Sequence, residues 1–139
     1  MSATGTVVVG YDGSADAGSA VTWAARTASA LGASLCIVHA VGLLEHGGVG
    51  GRGPVDGAAA VERACQAGLD ESAVEWRVVD GDPCSALLRV TEGPEPVALL
   101  VVGSRGSGAH AGTLLGSTSL ELAEHAPVPV TIVPSTFEA

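Results

Sequence analysis

The feature that most constrains this chain is an alternation repeated along its whole length. Short aliphatic runs are separated by stretches whose apolar residues recur at helical spacing. Thr6-Val-Val-Val-Gly10 is the first run, continuous and β-branched, as expected of a strand buried on both faces of a parallel sheet. Ala17, Ala20, Val21, Ala24, Ala28 and Leu31 then recur at three- and four-residue intervals, and Gly32 stands where a helix would end in a left-handed residue. A second strand is expected over Ser34–Val41, a short helix over Ala58–Ala67 and a third strand over Val74–Val79. Asp82-Pro83 opens a helix running to about Glu92, with an N-cap acceptor followed by proline in the first turn. Val97–Val102 is the most apolar run and is expected to be the central strand, followed by a helix over Ser117–His125 and a last strand over Val128–Val133. Pro129 removes a backbone donor from that last strand and favours an edge position.

This β-α-β-α-β-α-β-α-β order predicts one α/β domain over residues 1–139. It is a three-layer α/β/α, doubly wound, five-stranded parallel sheet of the Rossmann-like kind, with strand order 3-2-1-4-5. Residues 42–57 break the pattern. Their glycine-rich stretch around His46–Pro54 loses too much entropy on ordering to hold a regular element, and is expected to be a mobile surface loop.

Composition narrows the function classes. Hydrophobic residues at 47% and charged residues at 15% exclude intrinsic disorder. The net charge of −9 and 3% aromatic content disfavour nucleic acid and anionic lipid as partners. The six basic residues are all arginine, so lysine Schiff-base chemistry and the lysine-bearing phosphate loop are excluded. No apolar run approaches a membrane span and no secretory signal is visible, which together predict a cytoplasmic chain. Cys36, Cys65 and Cys84 lack C-x-x-C spacing and are expected to be free thiols. The histidines at 39, 46, 110 and 125 lack metal-ligand spacing, and His39 reads as a hydrogen-bonded core residue.

In open parallel sheets, ligands sit beyond the carboxyl ends of the strands at a topological switch point. Gly103-Ser-Arg-Gly106 lies at such an end and is separated by nine residues from Gly116-Ser117-Thr118-Ser119, which opens a helix. The pattern suits an anion cradle: glycines admit phosphate oxygens close to backbone N–H groups, a helix start adds unpaired donors, and three hydroxyls could donate as well. The same residues also suit a plain turn at Gly103 and Gly106 and a helix cap at Ser117. Asp12-Gly13 likewise reads either as a ligand site or as an ordinary turn.

These motifs, together with Val-Gly-Tyr-Asp-Gly-Ser at the first strand end, His-Ala in the second strand and the closing His-Ala-Pro-Val-Pro-Val-Thr-Ile-Val, resemble the universal stress proteins over residues 6–134. The most specific element is G-x-x-G-(nine residues)-G-[ST], met by Gly103, Gly106, Gly116 and Ser117, which in that family marks the ATP-binding members. The resemblance implies an adenine nucleotide alpha hydrolase-like fold that binds ATP, with Mg²⁺ as counter-ion, in a stress-response signalling module. It would set Gly10, Tyr11 and Asp12 against the adenosine and the backbone of Ala40 at the adenine edge. Gly103, Ser104 and Arg105 would lie near the ribose and α-phosphate, and Gly106, Gly116, Ser117, Thr118 and Ser119 on the phosphates. It also implies a homodimer through the last strand, Val128–Val133. The chain departs from the family in having only Arg105 and His110 as basic candidates over residues 104–115, and in placing Glu121 near the helix start. Alternative readings are a nucleotide-free dimeric scaffold and a weak ATPase. No nucleophile–base pair, G-x-S-x-G elbow or G-x-G-x-x-G dehydrogenase loop is present, so slow ATP hydrolysis is the most catalysis expected.

Overall fold

The computed structural model describes residues 5–42, 55–104 and 116–137. These form five strands, β1 (Thr6–Gly10), β2 (Ser34–Val41), β3 (Val74–Asp80), β4 (Val97–Gly103) and β5 (Val130–Val133), in one sheet of order β3-β2-β1-β4-β5. All four pairings are parallel. The helices are α1 (Ala15–Leu31), α2 (Gly57–Gln66), α3 (Pro83–Thr91) and α4 (Ser117–His125), with a 3₁₀ turn at Glu71–Ala73 before β3. The glycine-rich stretch expected to be a loop lies largely outside the described residues, as do Arg105, Gly106 and His110.

Alternation along β1 builds both cores. Val7 and Val9 face α1 and α2, whereas Val8 faces the α3–α4 layer, and all three are fully buried. On the first face α1 presents Ala20, Val21, Ala24, Ala25 and Ala28, each fully buried. These small side chains let the helix lie close to the sheet. The second face is filled by Cys36, Cys84, Leu87, Leu100 and Leu122. Gly32 ends α1 at φ 70°, the left-handed cap expected of it.

Two expectations are corrected. The central strand is β1, not β4: Val97, Ala98 and Leu99 are only half-buried, and the β1–β4 register shifts between Thr6 and Val7. The last strand begins at Val130 rather than Val128, because Pro129 has no N–H, although its carbonyl accepts from the Leu100 amide at 2.9 Å. The edge position of β5 is as expected. The two edges differ in chemistry. β3 carries Glu75, Arg77 and Asp80, with Arg77 paired to Glu75 at 2.9 Å and to Glu95 at 3.5 Å, whereas β5 carries no charge. Among the described residues, no helix is long and apolar enough to cross a membrane.

Candidate functional site

The chain runs outward from β1 through β2 to β3 and then returns to the other side of β1 as β4, so the switch point lies between the carboxyl ends of β1 and β4. Gly10, Tyr11 and Asp12 leave β1 there, Gly103 and Ser104 leave β4, and Ala40 lies near the end of β2. Gly116 through Ser119 join them through α4. The Gly116 amide donates to the Ser104 carbonyl at 2.6 Å. The sequence-predicted residues that are described therefore gather at one end of the sheet.

The β1–α1 turn is an Asx turn followed by a helix cap. Asp12 Oδ1 accepts from the Ser14 amide at 2.9 Å, and Ser14 Oγ accepts from the Ala17 amide at 3.2 Å. Gly13 supplies the positive φ of 86° that the turn requires. The Tyr11 amide donates to the Val38 carbonyl at 2.9 Å, and the Tyr11 carbonyl lies 3.0 Å from His39 Nδ1. His39 is thus hydrogen-bonded as expected, although half-buried rather than in the core.

The β4 end is held from three sides. A methyl group at Gly103 would lie 3.0 Å from the backbone of Asp16, so glycine here is a close approach between β4 and α1. Ser119 Oγ donates to the Gly103 carbonyl at 2.8 Å, and Ser119 is 2% exposed. In this arrangement the Ser119 proton is given to the strand end inside the fold. Ser104 is also buried, and its hydroxyl lies 3.3 Å from Ser135 Oγ, which donates to Asp16 Oδ2 at 2.9 Å. With the Ser135 proton given to the carboxylate, Ser104 is the donor of that pair. Asp16 and Ser135, 119 residues apart, were not legible as site residues because no local pattern links them.

The start of α4 differs from the other helix starts. Ser14, Asp56 and Asp82 each cap α1, α2 and α3 through a side-chain oxygen, but Gly116 occupies the N-cap of α4 and makes no side-chain cap bond. Ser117 is the first helical residue rather than the cap, so the alternative reading of it as a helix cap does not hold. The first turn of α4 therefore starts beside the β4 end with no side-chain acceptor from its N-cap. Such an end favours an anion by about 0.3–1 kcal/mol through its dipole alone, before individual hydrogen bonds.

Three of the described arginines are engaged elsewhere. Arg63 Nε donates to Thr22 Oγ1 at 2.7 Å, Arg77 pairs with Glu75 and Glu95, and Arg89 donates to the Asp80 carbonyl. The thiols are free, as expected. Burial, with Glu75 nearby, pushes the Cys36 thiol up to about 12, and burial also raises Cys84, so neither offers a thiolate at neutral pH. A separate cleft at the amino ends of β1 and β4, lined by Cys36, Arg77 and Glu95, encloses ≈ 30 Å³. That is room for about one water and not for a nucleotide.

This geometry agrees with what comparison with known proteins finds. Residues 4–134 match the model of the universal stress protein family. A universal stress protein of Mycobacterium tuberculosis is 38% identical over 151 residues, covering 98% of this chain and 100% of that one. Another from the same organism is 33% identical over 141 residues, covering 91% of this chain and 46% of the relative, so the chain spans about half the length of such relatives. Among solved structures, a universal stress protein in complex with cAMP is 36% identical, with a TM-score of 0.73 over 95% of this chain and 98% of that one. The sheet order, the glycine spacing and the match across nearly the whole length converge on one conclusion: the chain belongs to the universal stress protein family.

Proposed function

We propose that this chain binds an adenine nucleotide at the β1–β4 switch point and acts as a nucleotide-dependent stress-response module. The observation that carries the reading is the start of α4, where Gly116 leaves the first-turn amides without a side-chain cap beside the Gly103–Ser104 strand end. In this reading the base and ribose lie toward Tyr11, Asp12 and Ala40. The phosphates lie over Gly116, Ser117 and Thr118, with Gly106 and Arg105 contributing from the preceding segment. Ser119 acts from beneath, as a strut under Gly103. ATP is the ligand that the glycine motif implies, and cAMP is the ligand of the 36% identical neighbour. Mg²⁺ enters with ATP, since this ion keeps most of its shell from phosphate oxygens and water and asks for few protein ligands. Its positive charge offsets phosphates that the engaged arginines do not reach.

The site is built for holding rather than cleaving. Backbone donors orient phosphates, but fast phosphoryl transfer needs a cationic clamp and a positioned nucleophile as well. Any ATP hydrolysis is therefore slow. The uncharged β5 edge supports a second reading, a dimeric scaffold formed by two copies across Val128–Val133.

Calorimetric titration of nucleotide-stripped protein with Mg·ATP and with cAMP tests the first reading. Gly116→Val is expected to weaken binding at least about 100-fold, because its side chain would occupy space needed by the phosphate next to the donors. Saturable binding unaffected by that substitution would exclude the α4 start as the site. Absence of heat with either nucleotide, together with a stable dimer, would leave the scaffold reading.

A further inference from the structure

We propose that His39 is a positioning residue for the Asp12 turn, held in place by Trp76. His39 Nδ1 and the Tyr11 carbonyl form a hydrogen bond at 3.0 Å. A carbonyl oxygen only accepts, so Nδ1 carries the proton and donates. The bond falls on the peptide group that leads into Asp12. On the amide side of the same residue, Tyr11 N–H is taken by the Val38 carbonyl. Both polar groups of the Tyr11 backbone are thus held by consecutive residues of β2.

The ring that donates this bond is itself fixed. The Trp76 indole lies against it at a centroid separation of 5.9 Å and an interplanar angle of 18°, an offset stack. Tyr11 approaches the same indole edge-on at 6.2 Å and 73°. Behind Trp76 stands Gly57, the first residue of α2, where an added methyl would come within 2.5 Å of the indole. Two residues earlier, Val55 lies over Gly13, with its Cγ2 3.6 Å from where a Cβ of residue 13 would stand. The chain entering α2 therefore backs both the Asp12–Gly13 turn and the stack that holds His39.

The consequence is a turn set before ligand arrives. A backbone free to rotate at Tyr11 would present Asp12 in several orientations, and a nucleotide would have to select one. The chain Gly57–Trp76–His39–Tyr11 removes that freedom. The role in binding rests on the proposed placement of Asp12 in an adenine-nucleotide site, whereas the ordering of the turn does not.

The test uses the different reach of two amides. Asparagine places its amide nitrogen directly on Cγ, where His39 has Nδ1, and glutamine places it one bond further. His39→Asn is expected to keep the bond to the Tyr11 carbonyl and His39→Gln to lose it. Amide exchange at Ser14, whose N–H is held by Asp12, should quicken about five-fold in the Gln variant and clearly less in the Asn variant, which keeps the bond but gives up the Trp76 stack. Affinity for cAMP or Mg·ATP should weaken by the same factor in the Gln variant, at matched melting temperatures. Gly57→Ala, which displaces Trp76 without touching His39, should quicken Ser14 exchange to the extent the Asn variant does. Equal Ser14 exchange in wild type and His39→Gln, or an Asn variant as perturbed as the Gln variant, would overturn the proposal. If wild type binds neither nucleotide, the nucleotide reading fails, and Ser14 exchange still decides the role of His39. If Asp12→Ala abolishes binding while His39→Gln leaves it at wild-type strength, the nucleotide reading stands and the positioning role in binding does not.

Discussion

The two ends of the candidate site are built on opposite plans. At the β1–β2 end, side chains close on one another: Asp12 on the Ser14 amide, His39 on the Tyr11 carbonyl, Trp76 on His39. At the β4–α4 end two serine side chains face inward. Ser119 supports Gly103, and Ser104 is tied through Ser135 to Asp16, leaving the first turn of α4, with Ser117 and Thr118, as the outward chemistry. The first end is complete in itself and can offer shape. The second offers the positive end of a helix whose N-cap supplies no side-chain acceptor. A ligand with a flat, weakly charged part and an anionic part matches that division.

The largest effect expected from breaking the comparison is at Gly103. Gly103→Ala would force a methyl to 3.0 Å from the Asp16 backbone, and neighbouring backbone yields less readily than a flexible side chain. A loss of about 1–3 kcal/mol in denaturant unfolding is expected, with nucleotide affinity reduced alongside. Ser119→Ala removes the strut under the same carbonyl and should destabilise by about 1 kcal/mol. An unchanged melting temperature would show that the α4 start is held by other means.

A smaller pair of changes sharpens the contrast between capped and uncapped helix starts. Ser14→Ala deletes the α1 cap and should cost about 1 kcal/mol, whereas Gly116→Ala, at a helix start with no side-chain cap to lose, should cost less. The smallest effect is acid-dependent. The Ser85 hydrogen bonds hold the Asp82 carboxyl below its ordinary range, so its stabilisation of α3 is fully present above the unfolded-state value near 3.8. That stabilisation fades as pH falls through the lower folded-state value. Asp82→Asn should flatten this part of the acid unfolding profile, whereas substitutions at Gly116 should leave it unchanged.

Much of this architecture could be read from residue order. Asp82-Pro83, Gly32 and the helical spacing of Ala20, Ala24 and Ala28 act within a few residues, so they mark helix starts, ends and faces directly. Run apolarity was a poorer guide, because it reports burial and not rank within the sheet. Val97–Leu99 extend to the half-buried amino end of β4, whereas the shorter Val7–Val9 is covered on both faces. The glycine spacing points to the β4–α4 end, because it marks where the chain leaves β4 and where α4 begins. The sequence could not reveal that Ser119 faces inward, that Ser135 meets Asp16, or that Trp76 lies against His39. Those contacts join separate strands and helices, and only the folded chain creates them.

The most direct test supplies the side-chain acceptor that the N-cap of α4 lacks. Gly116→Asp places a capping carboxylate over the first-turn amides of α4, as Asp82 does for α3. Calorimetric titration with Mg·ATP and cAMP should then show binding in the wild type and none in the variant, whose melting temperature equals or exceeds that of the wild type. Undiminished nucleotide binding by a folded Gly116→Asp protein would contradict the claim that the uncapped start of α4 is the anion site.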